Sequence, residues 1–481
     1  MSLSHCAASV LRARGLISAT TATCEAQLSH FFQHVKSHST PISCYVGFDP
    51  TADSLHIGNL VSLRVLQIMQ HHGFQPIALV GGATGLIGDP SGRSTERNMQ
   101  STEKIRQNVI GIEANVRHLL RDCNTSTNSN STDTEYALHP PKIVNNIDWY
   151  LNQTPLDFIR DVGRHFRMGS MLSRDSVKSR LDSSNGMSFT EFSYQLFQAY
   201  DYLHLYNEFN CMLQIGGSDQ WGNIVSGCEL IRRTEVQKSG DSGDSGDGGV
   251  ESVDVGSGVV YGLTVPLLTT STGEKLGKSA GNAIWVNSNK TSAYELYQYF
   301  LNISDDDVEK CYSMLALDPT LDAETSINTI KETMNEHQKE PSQRYAQRSL
   351  ANSMVEWIHG ADGLASAQQA TNALFGCGGS SSVVGDSDSS TVSWRVALKD
   401  APSCKVSTNE IVGISIVEFV TGLGLFKSRG EARRMIKSGG LYLNQNRVDN
   451  GNRELELNDV LSENLIVLRK GKKNYMLVDV V

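Results

Sequence analysis

Two short motifs, about one domain's length apart, constrain this chain more than any other feature. The first, His56–Asn59, places a histidine and a carboxamide on either side of a glycine, and the second, Lys275–Ser279, places two lysines around a glycine. Either motif alone would indicate little, because an isolated histidine at a helix start is usually a cap and an isolated lysine pair usually faces solvent. Their joint occurrence, in this order and in an α/β frame, favours a functional site instead.

The residues around the first motif predict a strand–helix–strand unit. Ile42–Phe48 is an apolar run typical of a buried strand, and Asp49–Leu55 predicts a loop. From His56 the apolar residues recur at helical spacing as far as Met69, and Pro76–Gly81 predicts a second buried strand. These elements predict a doubly wound, parallel-sheet α/β domain of the Rossmann-like kind, in which ligands bind where strands end and helices begin.

Three further runs accompany the two motifs, namely Tyr45–Leu55, Ala78–Gly92 and Leu213–Asn223. Together the five segments resemble tyrosyl-tRNA synthetases of the bacterial and mitochondrial type, which are class I aminoacyl-tRNA synthetases. The resemblance extends from about Arg14 to the last residue. It implies a tyrosine–tRNA ligase that activates L-tyrosine with ATP as tyrosyl-adenylate and transfers the tyrosyl group to the 3′ end of tRNA(Tyr). It also implies a homodimer and ATP as a substrate with accompanying Mg²⁺. The sequence has no run of about 18 apolar residues and no zinc, flavin or nicotinamide signature, so we expect no membrane span, bound metal or prosthetic group.

Adenylate formation needs positioning groups and cationic donors, because negative charge builds up on the ATP phosphates as the carboxylate attacks. The resemblance implies that the catalytic residues are His56, Asn59, Thr51, Lys275, Lys278, Arg93 and Arg97, with both lysines on a mobile loop. It places around ATP the residues Gly47, Asp49, His56, Gly58, Asn59, Gly217, Asp219, Lys275 and Lys278. Asn59 stands where many family members have a second histidine, and Val46 where some have a cysteine that contacts ribose. An amide keeps a donor but carries no proton, so we expect activity with altered ATP affinity.

The resemblance also implies a tyrosine pocket formed by Tyr45, Asp89, Tyr194, Gln198, Asp201, Gln214 and Gln220. In it Tyr45 and Asp201 meet the phenol hydroxyl, and Asn146 and Trp149 support the site. Residues 194, 198 and 201 follow helical spacing and share one face. A core-facing stripe has the same spacing, but Gln and Asp on an apolar stripe need partners, and a ligand is the natural candidate.

Length and composition set the domain organisation. The chain has 481 residues, and 39% hydrophobic content is enough for more than one core. Nine scattered cysteines without a Cys-x-x-Cys pair argue against zinc and against a disulfide framework. Stretches rich in Gly, Ser and Asn at 124–134, 237–258 and 376–393 predict surface insertions or linkers. The predicted segments are a transit segment 1–13, a catalytic domain 14–290 with the acidic insertion 237–258, a helical tRNA-binding domain 291–375, a linker 376–409 and an RNA-binding domain 410–481.

The C-terminal segment predicts a small α+β module that binds RNA. The net charge of the chain is −10, but residues 411–481 carry eleven Lys/Arg against eight Asp/Glu. Ser428–Glu431 fits a capping box for a basic helix, and Gly439 predicts the stop of that helix before a strand. The candidate RNA-binding residues are Arg429, Arg433, Arg434, Lys437, Lys470, Lys472 and Lys473. A solvated charged face is the alternative.

Several alternatives stay open at this point. The N-terminal segment contains Arg12 and Arg14 and no acid before Glu25, which is typical of an organellar transit peptide and also of a frayed tail. The bacterial-type resemblance favours the mitochondrial matrix over the cytoplasm. Arg232 and Arg233 either contact the tRNA acceptor end or form a charge pair at a helix C-terminus. A non-enzymatic RNA-binding scaffold and tryptophan specificity are the competing functions.

Overall fold

The computed structural model describes residues 6–23, 25–34, 40–92, 95, 99–121, 138–181, 186–238, 259–279, 282–375, 403–444, 446–461, 464–471 and 474–481. The chain divides into two compact units, and each is described by itself. The first comprises Met1–Thr291 and Phe300–Ile358, and the second comprises Ser292–Tyr299 and His359–Val481. The segment 291–375, predicted to be a helical domain, is therefore shared between the units. The domain boundaries stay predictions.

The first unit is built around a six-stranded sheet with the strand order β1-β6-β5-β2-β3-β4. Its strands are β1 Ala19–Thr20, β2 Ser43–Phe48, β3 Gln75–Val80, β4 Lys142–Asn145, β5 Cys211–Gly217 and β6 Tyr261–Val265. Only β1 is antiparallel to its neighbour, and the other four pairs are parallel. The predicted doubly wound parallel sheet is thus confirmed.

The position of the candidate site follows from this topology. From β2 the chain proceeds through β3 to β4 on one side, and then returns to β5 and β6 on the other side of β2. The order of strands therefore reverses between β2 and β5, and an open α/β sheet has its binding crevice at such a point. The central strands are almost wholly buried, as expected of a parallel sheet covered on both faces.

Helices cover both faces of the sheet and continue beyond it. Those up to residue 238 are α1 Ala7–Ala13, α2 Glu25–His34, α3 Ile57–His71, α4 Thr84–Ile87, α5 Thr102–Arg121, α6 Ile147–Tyr150, α7 Pro155–Asp161, α8 Met168–Leu172, α9 Asp175–Leu181, α10 Phe189–Phe209 and α11 Trp221–Lys238. Those that follow are α12 Ala293–Leu301, α13 Asp305–Cys311, α14 Ala323–Lys339 and α15 Tyr345–Phe375, the last broken at Gly360. Short 3-10 turns occupy Gly163–His165, Ser218–Gln220 and Pro341–Gln343, and a π turn occupies Tyr312–Ala316.

The N-terminal segment is an integral part of the first unit. In α1 the side chains of Ala7, Ala8, Val10 and Leu11 are buried, and the helix packs on α14. The Arg14 side chain, 1% exposed, donates hydrogen bonds to three backbone carbonyls at 317, 318 and 321 and to a serine hydroxyl at 326. Residues 7–13 thus form a helix whose apolar face is covered by the fold, and the transit segment 1–13 stays a prediction.

The second unit contains a five-stranded sheet with the order β11-β10-β12-β13-β9. Its strands are β9 Ser403–Val406, β10 Leu441–Leu443, β11 Asn446–Arg447, β12 Leu465–Lys470 and β13 Asn474–Val480. The helices α16 Ile416–Gly422 and α17 Arg429–Lys437 pack on it around a core that includes Ile416, Phe419 and Ile436. Further 3-10 turns lie at Thr408–Glu410 and Leu457–Asp459. The predicted small α+β module is confirmed as a fold.

The predicted start and stop of the basic helix are largely confirmed. Ser428 caps α17 by accepting a hydrogen bond from the backbone of Glu431 at 3.2 Å. The Glu431 carboxylate reaches the backbone N–H of Lys427 at 2.9 Å rather than that of Ser428, so the capping box is shifted by one residue. After the helix, Gly439 has a φ of +73°, and strand β10 follows.

The predicted insertions 124–134 and 376–393 lie outside the described residues, and so does 237–258 except for its first two residues. Those two belong to α11, so the helix extends further than the composition indicated. Within the described part of the chain, no helix combines the length and apolar character needed to cross a membrane.

Candidate active site

A cavity of 310 Å³ opens at the switch point of the large sheet. The residues that follow β2, β3 and β5 form its walls together with one face of α10, as expected for the carboxyl edge of a parallel sheet. The predicted site residues that line this one cavity are Tyr45, Gly47, Asp49, Thr51, His56, Gly58, Asn59, Asp89, Tyr194, Gln198, Asp201, Gln214, Gly217, Asp219, Gln220 and Lys275. The structure thus brings together residues that are up to 230 positions apart in the chain.

Three predicted catalytic residues have no described side-chain position. Arg93 and Arg97 lie outside the described residues. The backbone of Lys278 belongs to strand β7 Lys278–Ser279, which pairs with β8 Asn282–Ala283, but its side chain is outside the described part. The two-lysine motif therefore runs from Lys275 into the β7–β8 strand pair, which we call the two-lysine hairpin. The predicted mobility of this segment stays a prediction.

Asp201 is a buried carboxylate with three hydrogen-bond donors. Trp149 Nε1 donates to its Oδ1 at 2.9 Å, and Asn146 Nδ2 donates to its Oδ2 at 3.0 Å. Tyr150 Oη shares its single proton between Oδ1 at 3.0 Å and the carbonyl oxygen of Phe197 at 2.9 Å. Burial raises the pKa of Asp201 to about 7 in spite of these donors. A carboxylate can accept about four hydrogen bonds, so capacity for one more donor remains. Sequence reasoning anticipated Asn146 and Trp149 but missed Tyr150.

Two further polar groups of the cavity have no hydrogen-bond partner among the described residues. They are the phenol oxygen of Tyr45, whose residue is 1% exposed, and the Oε1 atom of Gln214, whose residue is 2% exposed. Burial, assisted by the charge of Asp201, raises the pKa of the Tyr45 phenol, which therefore stays a neutral donor. Buried polar groups in folded proteins are normally paired, so these two indicate a polar ligand.

Asp49 lies at the centre of a second hydrogen-bonded group. Tyr194 Oη donates to Asp49 Oδ2 at 2.8 Å and Thr84 Oγ1 donates to Asp49 Oδ1 at 2.7 Å. Asn146 donates in turn to Thr84 at 3.0 Å, so a continuous chain of bonds joins Asp49 to Asp201. Gly81 is required here, because a Cβ at that position would come within 2.2 Å of Asp49 Oδ1. No sequence motif singled out Thr84 for this role.

A third group of side chains holds the far wall. Gln220 Nε2 donates to Asp89 Oδ2 at 2.7 Å, and the backbone of Ser91 donates to Asp89 Oδ1 at 2.9 Å. Asn223, buried at the start of α11, donates from its amide to Gln198 Oε1 at 2.9 Å. Asn223 was inside a quoted motif, but its contact with α10 could not be foreseen, because α10 and α11 meet only in the fold.

His56 and Asn59 form the cap of α3. The Nδ1 atom of His56 accepts a hydrogen bond from the backbone of Gly58 at 3.0 Å, and Asn59 Oδ1 accepts one from the backbone of His56 at 3.1 Å. The pair satisfies two backbone donors of the first helical turn reciprocally. The asparagine therefore has a structural role that the sequence comparison of Asn with His did not suggest, and its amide nitrogen is the remaining donor.

Lys275 is the lysine of the motif whose side chain the structure describes, and it lines the cavity. Its Nζ lies 3.7 Å from Asp219 Oδ2, and the lysine side chain is 47% exposed. Burial raises the pKa of Asp219, and the charge of Asp89 adds to this while Lys275 opposes it. A nucleotide ribose and phosphates would thus meet a carboxylate and an ammonium at the same edge.

The second unit presents part of the predicted cationic surface. Arg433, Arg434 and Lys437 are exposed on α17, and Arg429 forms an ion pair with Glu418 at 2.8 Å. Lys470, also a candidate RNA-binding residue, donates from its ammonium to Glu431 at 2.9 Å and to the carbonyl oxygen at 425 at 3.0 Å, and its role stays a prediction. Lys472 and Lys473 lie outside the described residues.

The two arginines near the end of α11 differ in their surroundings. Arg232 is exposed, whereas Arg233 donates a hydrogen bond to the backbone carbonyl of His165. The structure thus leaves Arg232 accessible and holds Arg233 against the neighbouring turn. Neither predicted role, contact with the acceptor end or a helix-terminal charge pair, is decided by these contacts.

Comparisons with known protein families agree with this geometry. Residues 36–376 match the model of the class I tRNA synthetases for tryptophan and tyrosine. Residues 394–478 match the tyrosine–tRNA ligase SYY-like C-terminal domain. The fold, the cavity at its switch point and these two matches define a class I aminoacyl-tRNA synthetase.

Individual relatives narrow this class. The mitochondrial tyrosine–tRNA ligase of Drosophila melanogaster is 43% identical over 437 residues, which cover 91% of this chain and 87% of the relative. The tyrosine–tRNA ligase of Rhodopirellula baltica is 39% identical over 98% of this chain and 95% of its own length. A C-terminally truncated mitochondrial tyrosyl-tRNA synthetase of Aspergillus nidulans superposes with a TM-score of 0.64 at 32% identity, covering 77% of this chain and 94% of that chain. The chain belongs to the tyrosine–tRNA ligase family.

Proposed function

We propose that this chain is a tyrosine–tRNA ligase that forms tyrosyl-adenylate from L-tyrosine and ATP and then transfers the tyrosyl group to tRNA(Tyr). The observation that carries the proposal is the polar end of the cavity, where Asp201 has capacity for one more donor and Tyr45 Oη has no described partner. A phenol hydroxyl donates once and accepts, so it satisfies both residues. Phenylalanine would leave both unpaired, and an indole N–H could donate to Asp201 but not accept from Tyr45.

The rest of the tyrosine molecule has a place in the same cavity. Asp89 and Gln198 lie along the wall that would face the α-ammonium group, and Gln220 already donates to Asp89. The family resemblance assigns Gln214 and Gln220 to the neighbourhood of the substrate carboxylate, and both residues line the cavity. Discrimination between tyrosine and phenylalanine by a polar pocket of this kind is an established property of tyrosyl-tRNA synthetases, in which it reaches roughly 10⁵-fold.

The other end of the cavity suits ATP. His56 and Asn59 lie at the start of α3, whose N-terminus favours phosphate, while Thr51 lies in the preceding loop and Lys275 adds a cation to the same cavity. Asp219 is the acceptor suited to the ribose hydroxyls. In-line attack by the tyrosine carboxylate on the α-phosphorus needs no protein nucleophile, so these groups act by positioning and by stabilising charge on the leaving pyrophosphate. Mg²⁺ accompanies ATP as part of the substrate.

The partners and location of the protein form the finer part of the proposal. The exposed cations of α17 support binding of tRNA by the second unit. Large apolar side chains with at least half of their surface exposed are concentrated in one segment of the first unit, at Leu151, Leu156, Ile159, Met168 and Phe189, which supports a homodimer formed through that segment. The mitochondrial relatives support a place in mitochondrial translation, in the matrix.

The test is exchange of labelled pyrophosphate into ATP with tyrosine, phenylalanine and tryptophan in parallel. We expect exchange with tyrosine alone, and charging of tRNA(Tyr) when tRNA is added. Asp201→Ala should lose most of the preference for tyrosine over phenylalanine, whereas Asp148→Ala, at an exposed carboxylate on the neighbouring turn, should keep it. Folded protein without exchange for any amino acid would overturn the proposal and favour the RNA-binding scaffold.

A further inference from the structure

The return segment of the two-lysine hairpin lies directly against the loop that leads into His56. Val286 N–H donates to the carbonyl oxygen of Leu55 at 2.9 Å, and Ile57 N–H donates to the carbonyl oxygen of Ile284 at 3.2 Å. These backbone bonds come from both sides of His56, so the two signature motifs share a short ladder. A displacement of the return segment would therefore break or shift backbone hydrogen bonds at the start of α3.

Side chains reinforce this ladder at its outer end. The Lys290 ammonium forms an ion pair with Asp53 and lies 4.9 Å from the centre of the Trp285 ring. The Trp285 ring meets the His56 ring edge-on, with 6.3 Å between centroids. The hydrogen bond from Lys290 is the main reason that the pKa of Asp53 is lowered, so the carboxylate is ionised at neutral pH. Lys290 thus contacts both the Asp53 carboxylate, in the loop before His56, and the Trp285 indole, which packs on His56.

The lysine motif itself is hydrogen-bonded to the same return segment. Ile284 N–H donates to the carbonyl oxygen of Gly277 at 3.1 Å, and Gly277 lies between the two lysines of the motif. Gly277 has a φ of +81°, and a Cβ there would come within 3.4 Å of Ile57. The backbone of the lysine motif therefore approaches α3 closely, and its placement depends on where residues 284–290 are held.

The ion pair has little value as a general stabiliser of the fold. The Lys290 and Asp53 side chains are 33% and 39% exposed, and exposed pairs add little to stability in water. Where such a pair sets the placement of a catalytic segment, the same small term matters more, because a fivefold change in the population of the competent placement changes the reaction rate by the same factor. The location of the pair therefore indicates a positioning role.

We propose that Asp53, Trp285 and Lys290 form a latch that positions the two-lysine hairpin over ATP relative to His56. The inference rests on the proposed function, because it assigns these residues to the activation step. They line no part of the described cavity wall, so they act through the hairpin rather than by touching the substrate. The latch is separate from the tyrosine pocket, which it leaves unchanged.

The test compares the parent chain with Lys290→Met, Asp53→Asn, the double variant and Lys290→Arg. The control is Lys339→Met, which removes an exposed lysine–carboxylate pair with Glu336, far along the chain in α14. Tyrosine-dependent pyrophosphate exchange gives kcat/KM for ATP, and intrinsic fluorescence gives the dissociation constant for tyrosine. We expect each single charge-removing variant to lose about fivefold in kcat/KM for ATP, with tyrosine binding unchanged within twofold. The double variant should lose no more than either single variant, and Lys290→Arg should retain the parent value.

Each contrary outcome is informative. If the parent exchanges with tyrosine and the latch variants match Lys339→Met, the latch proposal is wrong and the proposed function stands. Losses that add in the double variant, or that appear equally in tyrosine binding, would show a general structural effect and would also overturn the latch. If the parent itself shows no exchange, the proposed function fails and the latch proposal fails with it.

Discussion

We expect the affinity for tyrosine to depend on the ionisation of Asp201 near neutral pH. The carboxylate accepts hydrogen bonds from Asn146, Trp149 and Tyr150, and burial raises its pKa to about 7. The ionised form has one acceptor position left for the phenol hydroxyl, because three of its about four positions are used, and protonation turns the remaining one into a donor. Protonation should therefore weaken tyrosine binding, and raising the pH should strengthen it until the carboxylate is fully ionised.

The size of the effect follows from the pKa. With a pKa of about 7, roughly one molecule in eleven is ionised at pH 6, so the dissociation constant for tyrosine should be about tenfold higher at pH 6 than at pH 8. The ammonium and carboxylate groups of free tyrosine keep their charges over this range. Burial lowers the pKa of His204, which stacks on Trp149.

The same ionisation affects stability with a definite sign. In the unfolded chain Asp201 loses its proton near 3.8, whereas in the folded chain it keeps the proton until about pH 7. The folded state thus binds more protons between these values, and its stability falls as pH rises through that window. A shift of about three pKa units corresponds to a loss of folding stability of about 4 kcal/mol at most across this window. Asp201→Asn should abolish this pH-dependent loss. The amide nitrogen that Asp201→Asn introduces, if it faces the Asn146 donor, would lower the stability of the variant and so reduce its gain over the parent.

The assays are tyrosine binding by intrinsic fluorescence and thermal unfolding, both between pH 5 and 8. The parent, Asp201→Asn and the exposed control Asp148→Asn are compared. The parent and the control should show the pH-dependent affinity, while Asp201→Asn should bind tyrosine weakly at every pH. The Tm of Asp201→Asn should gain on that of the parent as pH rises. A flat binding profile together with a constant Tm difference would refute the assignment of this titration to Asp201.

Three further predictions concern other parts of the chain. Arg14→Ala should lower the free energy of unfolding of the first unit by about 3–5 kcal/mol in urea titrations, because it leaves buried carbonyl groups without a donor, whereas Lys331→Ala, at an exposed position of α14, should change it by less than about 0.5 kcal/mol. Gly81→Ala should lower kcat/KM for exchange by about 100-fold or more, because its Cβ would displace a carboxylate of the site, whereas Gly169→Ala, with open space at its Cβ, should keep parent activity. Arg433→Gln should weaken tRNA binding and reduce the slope of log affinity against log salt by about one, with exchange unaffected, and an unchanged slope would contradict a phosphate contact.

Local patterns in the sequence determined much of the catalytic fold. The apolar run before Asp49 and the helical spacing after His56 predicted β2 and α3 to within a residue or two of their observed ends. Helical spacing also placed Tyr194, Gln198 and Asp201 on one face, and the structure brings all three to the same cavity. Backbone periodicity and glycine stops are set by neighbours in sequence, so they are legible without a fold.

The tertiary structure alone decided which polar groups meet. Tyr150 on Asp201, Thr84 on Asp49 and Lys290 on Asp53 join residues that are 35 to 237 positions apart, and no local pattern marks such pairs. The structure also buries one face of the helix around Val10, a contact that composition did not indicate. The physical reason is the same in each case. A buried polar group takes whichever partner the packing of distant segments supplies, and that packing depends on the whole chain.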